Sequence, residues 1–417
     1  MSSERREIVV IGAGPAGAIA AALLRRRGRD VLVLERQRFP RFSIGESLLV
    51  HCLDFLAEAG MLDAVDAAGF QYKNGAAFAR GEQYGEFDFA EALTPGRAST
   101  FQVERARFDQ LLADEAVRQG VEIRYETEIV AAECGRGGAG VAACAADGAH
   151  RDIRADFLLD ASGFGRTLPR LLHLERPSDF PVRHALYTHL ADRLPECAFD
   201  RSKILIAVHP QRCDIWYWVI PFANGRCSIG VVGARAVLAG AAGAAAERLR
   251  GLVAEEPWLR RLTAEAEWDT PVRETAGYSA NVTAMHGPRF ALLGNAAEFL
   301  DPVFSSGVTI AMRSASMAAS AVDRELLGGS VDWDREFERP LRVGIDCFRA
   351  FVDAWYGGQL QEIFFGRAQS PDIRRMICSV LAGFAWDDRN PFVAEPRRRL
   401  DVLARYCAMQ AAQARQS

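Results

Sequence analysis

Gly12-x-Gly14-x-x-Gly17 has the spacing of a loop that binds a dinucleotide pyrophosphate. Gly12 allows a tight turn, Gly14 lets the backbone approach the phosphates, and Gly17 lets a helix pack closely on a sheet. The helix N-terminus that follows stabilises the phosphate charge. Glu35, 18 residues after Gly17, falls where an acid meets a ribose hydroxyl. A second group, Trp216-x-Trp218-x-Ile220-Pro221, sets two indoles two residues apart. On a strand they share one face, which suits walling off a reactive site, although such pairs also serve as core packing.

These residues need elements to hold them. Residues 7–12 read as a short strand, 14–28 as an Ala/Leu helix ending at Gly28, and 30–35 as a second buried strand, so the chain opens on a βαβ unit. Residues 48–67 are expected to be helical with a break near Gly60, and 105–119 helical, followed by a strand at 121–130. A Gly/Ala-rich hairpin is expected over 131–150, and strand 157–160 leads into Ala161–Arg166. Residues 184–235 alternate in the manner of an antiparallel sheet. Residues 236–265 read as helical. Strand 290–293 feeds a helix starting near Ser306, and 331–415 is mainly helical with a turn around Asp387–Pro391.

Residues 294–308, Gly-Asn-Ala-Ala-Glu-Phe-Leu-Asp-Pro-Val-Phe-Ser-Ser-Gly-Val, resemble the flavin-contacting segment of the flavin hydroxylases, with Asn295 where those proteins usually carry Asp. Arg105, in Val103-x-Arg105-x-x-Phe108-Asp109, matches the arginine near their pyrophosphate, and Asp160–Gly163 resembles their segment beside the cofactor. Trp216-x-Trp218-x-Ile220-Pro221 matches a signature of the flavin-dependent halogenases, and Phe299-x-x-Pro302-x-x-Ser305-x-Gly307 matches their second one. Gly45-Glu46-Ser47 resembles their segment near the flavin, and Lys73 falls where they carry an essential lysine. The likeness extends through Ala382–Asp387 and Asn390–Phe392, and is nearer to the phenol- and pyrrole-halogenating branch than to the tryptophan branch.

That resemblance implies an α/β fold with a Rossmann-like, parallel-sheet FAD-binding domain (1–175 and 270–330), an antiparallel-sheet substrate domain (176–269) and a helical C-terminal region (331–417). The residues expected at FAD are Gly12, Gly14, Ala16, Gly17, Glu35, Arg36, Gly45, Ser47, Arg105, Asp160, Asn295, Asp301, Gly307 and Val308. A halide ion is expected at Ser306, Gly307 and Val308, and catalytic roles at Lys73, Trp216, Trp218 and Glu46. The implied chemistry takes FADH2 and O2, makes hypohalous acid, and passes it by way of Lys73 to a phenol or pyrrole. With one fingerprint only, a separate flavin reductase is expected to supply FADH2. An acyl or peptidyl carrier protein bearing the substrate is a further expected partner. The alternative on this scaffold is an aromatic hydroxylase.

Composition narrows the rest. With 417 residues, net charge −4, 49% hydrophobic and 25% charged residues, the chain has no basic excess for nucleic acid. No run approaches ~18 apolar residues, the length of a membrane span. The start, Met-Ser-Ser-Glu-Arg-Arg-Glu, runs straight into a strand without a secretory pattern, so the expected location is the cytoplasm. Nine cysteines without a Cys-x-x-Cys pair read as reduced, mostly core thiols. The seven histidines contain no His-x-x-x-His, and His184 and His189 are five apart, so no metal site is expected.

Overall fold

The computed structural model describes residues 4–193, 199–238, 243–366 and 370–416. In the first sheet, strand Glu4–Ile11 runs parallel to His150–Asp160 on one side and Val31–Leu34 on the other. Phe290–Leu292 and Glu122–Arg124 continue it outward, also in parallel. Ile8, Val9 and Val10 are fully buried, as a strand covered on both faces requires. Helix Pro15–Arg26 connects the first two strands, and Gly28 beyond it takes φ +83°.

Two strand expectations need correction. The strand expected at 157–160 is longer, His150–Asp160. Its first half is exposed on one face and pairs with the hairpin Thr127–Gly135/Gly138–Ala145, so its polar residues conceal it from a search for hydrophobic runs. The strand expected at 121–130 is divided. Glu122–Arg124 joins the parallel sheet, Glu126 turns at φ +53°, and Thr127–Gly135 enters the hairpin.

The second sheet has seven strands, in the order Arg273–Ala276, Arg183–Ala191, Arg226–Ala234, Arg212–Pro221, Lys203–His209, Gly75–Arg80, Gln83–Asp88. It extends beyond 176–269 at both edges. It is also not wholly antiparallel, because Gly75–Arg80 lies parallel to Lys203–His209. The alternation of side chains gives the sheet two dry faces. Phe78, Ile206, Trp216 and Trp218 belong to the main core shared with the nucleotide domain and the C-terminal helices. Ala77, Leu205, Tyr217 and Val219 belong to a smaller core under helices Ala245–Glu255 and Pro257–Leu262.

The helical stretch expected at 236–265 is broken. Arg235–Leu238 ends it early, residues 239–242 lie outside the described residues, and Pro257 starts a new helix at its first position. The C-terminal helices include Arg339–Tyr356, Gln359–Phe365, Pro371–Leu381 and Pro396–Gln416. In Arg339–Tyr356 the buried residues Leu341, Ile345, Phe348, Val352 and Trp355 follow the helical repeat and face the core. The eight described cysteines are free thiols, with Cys213 exposed; Cys197 lies outside the described residues. No helix among the described residues is long and apolar enough to cross a membrane.

Candidate active site

The glycine loop is shaped as its spacing requires. Gly12 has φ +96°, and a Cβ there would sit 2.7 Å from the Ala161 carbonyl oxygen. A Cβ on Gly17 would sit 1.9 Å from the Gly12 oxygen. Gly14 precedes helix Pro15–Arg26, whose first turn has no side-chain cap and no acid. Its leading N–H groups are therefore left for an anion. Ala16 is buried in that turn. Glu35 closes the loop from the next strand: its Oε2 accepts from the Ala13 N–H and its Oε1 from the Gln37 N–H, each at 2.9 Å. Arg36 is exposed just beyond.

Asp160 and Arg105, also expected at the cofactor, are likewise committed to protein partners. Asp160 accepts from the N–H groups of Ser162 (2.8 Å) and Leu168 (2.6 Å) and so folds the turn that packs beneath Gly12. Burial pushes its carboxyl above the ordinary range. Arg105 holds Asp109 in a bidentate pair, 2.7 and 2.9 Å, and donates to the Ile44 carbonyl at 2.7 Å. It thereby anchors the Gly45–Ser47 loop. The cation that faces Gly14 is Arg41, 3.4 Å from the position of a Gly14 Cβ, held by Asp109 at 3.1 Å and lying over the Phe39 ring. No spacing pattern in the sequence singles Arg41 out.

Gly45, at φ +100°, passes between Arg105 and Val308: a Cβ there would be 3.0 Å from Arg105 Nη1 and 3.8 Å from Val308 Cγ2. The next two residues are buried, and Glu46 Oε2, Ser47 Oγ and nearby Gln102 Oε1 have no partner. Buried polar atoms are ordinarily satisfied, so this group of orphans beside the glycine cradle fits the polar edges of a bound FAD. Glu46 Oε1 pairs with His189 Nε2, and the His189 ring lies among Phe42 and Phe222. The Glu46–His189 pair joins residues 143 positions apart and was invisible to local spacing.

Helix Ser306–Leu326 starts after Ser305, which has φ +55° and provides no side-chain cap. Ser306 and Val308 are buried, and a Cβ on Gly307 would meet the Phe299 ring at 3.2 Å and Asn295 Oδ1 at 3.6 Å. The helix therefore opens with uncapped N–H groups beside an aromatic ring, a setting that favours a small anion. Asp301, expected at the cofactor, has both oxygens engaged by protein donors. Its Oδ1 accepts from the Val303 N–H (3.1 Å) and its Oδ2 from the Tyr356 hydroxyl (2.9 Å). Burial raises its carboxyl to about 6.

Tyr356 also accepts the Trp216 indole N–H at 2.9 Å, and the Arg183 guanidinium lies 3.7 Å from its ring centroid. One hydroxyl at the end of a C-terminal helix thus ties the loop at 301 to the strand at 216. Trp218, 5.9 Å from Trp216 between ring centroids, donates instead to Ser228 on the neighbouring strand at 3.0 Å. Its ring lies over Gly230, where a Cβ would be only 2.3 Å away. Lys73 ends the short strand Gln71–Lys73 and is 1% exposed. Its ammonium donates to the Leu48 carbonyl at 2.8 Å and lies 5.3 Å from the Phe89 ring centroid. Desolvation lowers it to about 7.

His286, Asp334 and Glu338 form the group of potential metal ligands among the described residues. Asp334 is exposed and Glu338 already holds Arg342 at 2.7 Å, as in an ion-pair cluster.

Residues 5–332 match the family model described as FAD binding domain. The chain is 29% identical over 396 residues to the 1H-pyrrole-2-carbonyl peptidyl-carrier-protein brominase of Pseudoalteromonas luteoviolacea, covering 91% of this chain and 92% of that one. It is 30% identical to a flavin-dependent halogenase of Penicillium aethiopicum, over 83% of this chain and 70% of the relative. Among solved structures, a flavoprotein/dehydrogenase from Cytophaga hutchinsonii superposes with a TM-score of 0.95 at 42% identity, covering 98% of this chain and all of the other.

Proposed function

Since the chain belongs to the flavin-dependent halogenases and binds FAD, we propose that it halogenates an electron-rich aromatic ring, a phenol or pyrrole, by way of Lys73. The carrying observation is Lys73 itself: a lysine sealed in the core, lowered to about 7 and held by a single carbonyl. A structural role does not require so costly a residue. FADH2 held at this site would supply the electrons that activate O2, and O2 would supply the oxidising equivalent that converts halide into hypohalous acid.

The chain's own residues do the rest. The Ser306–Val308 N–H groups receive the halide, and the Phe299 ring limits competing water. Trp216 and Trp218, fixed by Tyr356 and Ser228, stand as the wall that keeps the ring substrate from the flavin. Lys73 either takes the halogen on its neutral amine or, as an ammonium, hydrogen-bonds and polarises the oxidant. Glu46, paired with His189, is placed to manage a proton near the cofactor loop. A flavin reductase supplies FADH2. The carrier-protein relatives make a pyrrolyl or phenolic acyl group on a carrier protein the leading substrate form.

The test supplies FAD, a reductase, NADH, chloride or bromide, and phenols or pyrroles both free and carrier-bound, and reads product masses. A halogenated product that requires halide is expected. A product gaining one oxygen whether or not halide is present would overturn the reading in favour of an aromatic hydroxylase.

A further inference from the structure

Helix Arg339–Tyr356 grips the loop that leads into the halide end of the site, and Arg349 on it has no part in the proposed chemistry. Arg349 forms an ion pair with Glu298. Tyr356, about two turns further along the same face, donates to Asp301 at 2.9 Å. Phe351 and Trp355 meet the Phe304 ring edge-on, each with centroids 6.0 Å apart. Between the two acids, Phe299 exchanges backbone hydrogen bonds with Ala280, 3.2 Å each, and the Leu300 carbonyl accepts the Ser279 hydroxyl. The Phe299 ring is only partly buried, against exposed Phe164 at 5.1 Å and Tyr278 at 5.8 Å. Packing alone therefore does not seat it beside Gly307. The ion pair is also not what holds the helix, whose core residues Leu341, Ile345, Phe348, Val352 and Trp355 do that. The Glu298 and Arg349 side chains are 4% and 15% exposed, and an ion pair so buried adds little stability beyond what apolar side chains would give. What it does fix is direction. Arg342, the other cation near Glu298, stands off at 3.8 Å and pairs with Glu338 at 2.7 Å.

We propose that Arg349 is a positioning residue for the halide: by holding Glu298 it fixes the Phe299 ring against Gly307, and so sets the size of anion that the uncapped turn at Ser306–Val308 accepts. This rests on the proposed function for the place of the halide. Phe299 follows Glu298 directly in the chain, so a shift of the carboxylate reaches the ring within one residue. The ring already stands 3.2 Å from the position of a Gly307 Cβ. An outward movement would admit water and favour bromide, the larger and less strongly hydrated ion, over chloride.

The test compares the FAD-loaded wild type with two variants. Glu298→Gln combined with Arg349→Leu leaves no lone buried charge, and Arg349→Lys keeps a cation for Glu298. Chloride and bromide are each titrated against the visible spectrum of the bound flavin. KM for both halides and for the ring substrate is then measured in turnover. In the double variant chloride should bind about tenfold more weakly and bromide less so, and the ratio of chlorinated to brominated product should fall. KM for the ring substrate should stay put, whereas a general loosening would move both KM values together. Arg349→Lys should recover most of the chloride affinity. Unchanged chloride binding and product ratio in the double variant, halide and ring KM rising in step, or no recovery with lysine overturns the inference. If the double variant does not retain FAD, Arg349→Gln, which keeps one donor for Glu298, is read by the same criteria. A wild type whose flavin spectrum and products ignore halide fails the proposed function itself, and the role of Arg349 falls with it.

Discussion

At the start of helix Ser306–Leu326 the protein offers positive charge without burying an ion, whereas at Lys73 it buries an ionisable amine against one carbonyl. The first arrangement draws on uncapped backbone N–H groups, each carrying a fraction of a charge, and it costs little. The space beside it is set by Gly307 against Phe299 and Asn295. The second is expensive, because removing an ammonium from water is compensated only in part by one hydrogen bond. Chains tolerate such a cost where function depends on it. The two ends of the site therefore differ in what a substitution should do: at the helix end it should lose function alone, and at Lys73 it should trade function for stability.

The largest effect is expected from Lys73→Met. Halogenation should fall by at least about 100-fold, the scale of losing one acid–base group, while flavin reoxidation by O2 continues. The folded protein should gain roughly 2–4 kcal/mol at pH 7, because the folded lysine is held near 7 against 10.5 when exposed. The sign follows from proton uptake. Between those two values the unfolded chain binds a proton that the folded chain does not, so the wild-type lysine becomes less costly as pH rises from 7 to 10.5. The Met variant's advantage should shrink over that window in denaturant titrations at several pH values. In the wild-type enzyme, activity rising through pH 7 would mark the neutral amine as the halogen acceptor, and activity falling would mark the ammonium donor.

Gly307→Ala comes next. Its Cβ would stand 3.2 Å from Phe299 and crowd the uncapped turn, so the KM for halide should rise about tenfold, near 1.4 kcal/mol. The KM for the ring substrate should stay put; a change confined to the ring substrate would remove the halide from that helix end. Tyr356→Phe tests the link between the loop at 301 and the strand at 216. It deprives Trp216 of its acceptor and Asp301 of a donor, at a cost of about 1–3 kcal/mol for buried groups left unpaired. The tyrosine hydroxyl lowers the Asp301 carboxyl, now about 6. Its loss should move any titration of the bound-flavin spectrum near pH 6 to higher pH. Smallest is Arg41→Ala, for which FAD affinity should weaken about threefold with loss of one partly exposed charged contact, measured by flavin fluorescence.

How much could be read beforehand depended on whether the rule was local. Gly12, Gly14 and Gly17 were legible because each answers a backbone constraint within a few residues. Trp216 and Trp218 were legible as one face because strand alternation has a fixed period. Their different partners were not: Tyr356 is 140 residues from Trp216 and Ser228 is 10 from Trp218. Asp301 was assigned to the cofactor from its motif, yet its direction is decided by a helix end that the motif does not contain. Arg41 and His189 acquire their neighbours only in three dimensions. Strand Gly75–Arg80 was missed in the second sheet because Gly-Ala-Ala-Phe-Ala-Arg has neither clear alternation nor a run of β-branched residues.

That strand has a consequence for how the molecule comes into being. Gly75 pairs with Lys203, about 130 residues further along the chain, and Lys73 lies two residues before it. Such distant pairing closes late and slows folding. During synthesis the opening βαβ segment and the partners of Lys73, the Leu48 carbonyl and strand Thr100–Gln102, are made well before strand Lys203–His209. The lysine therefore has its hydrogen-bond partners at hand long before the sheet next to it can close.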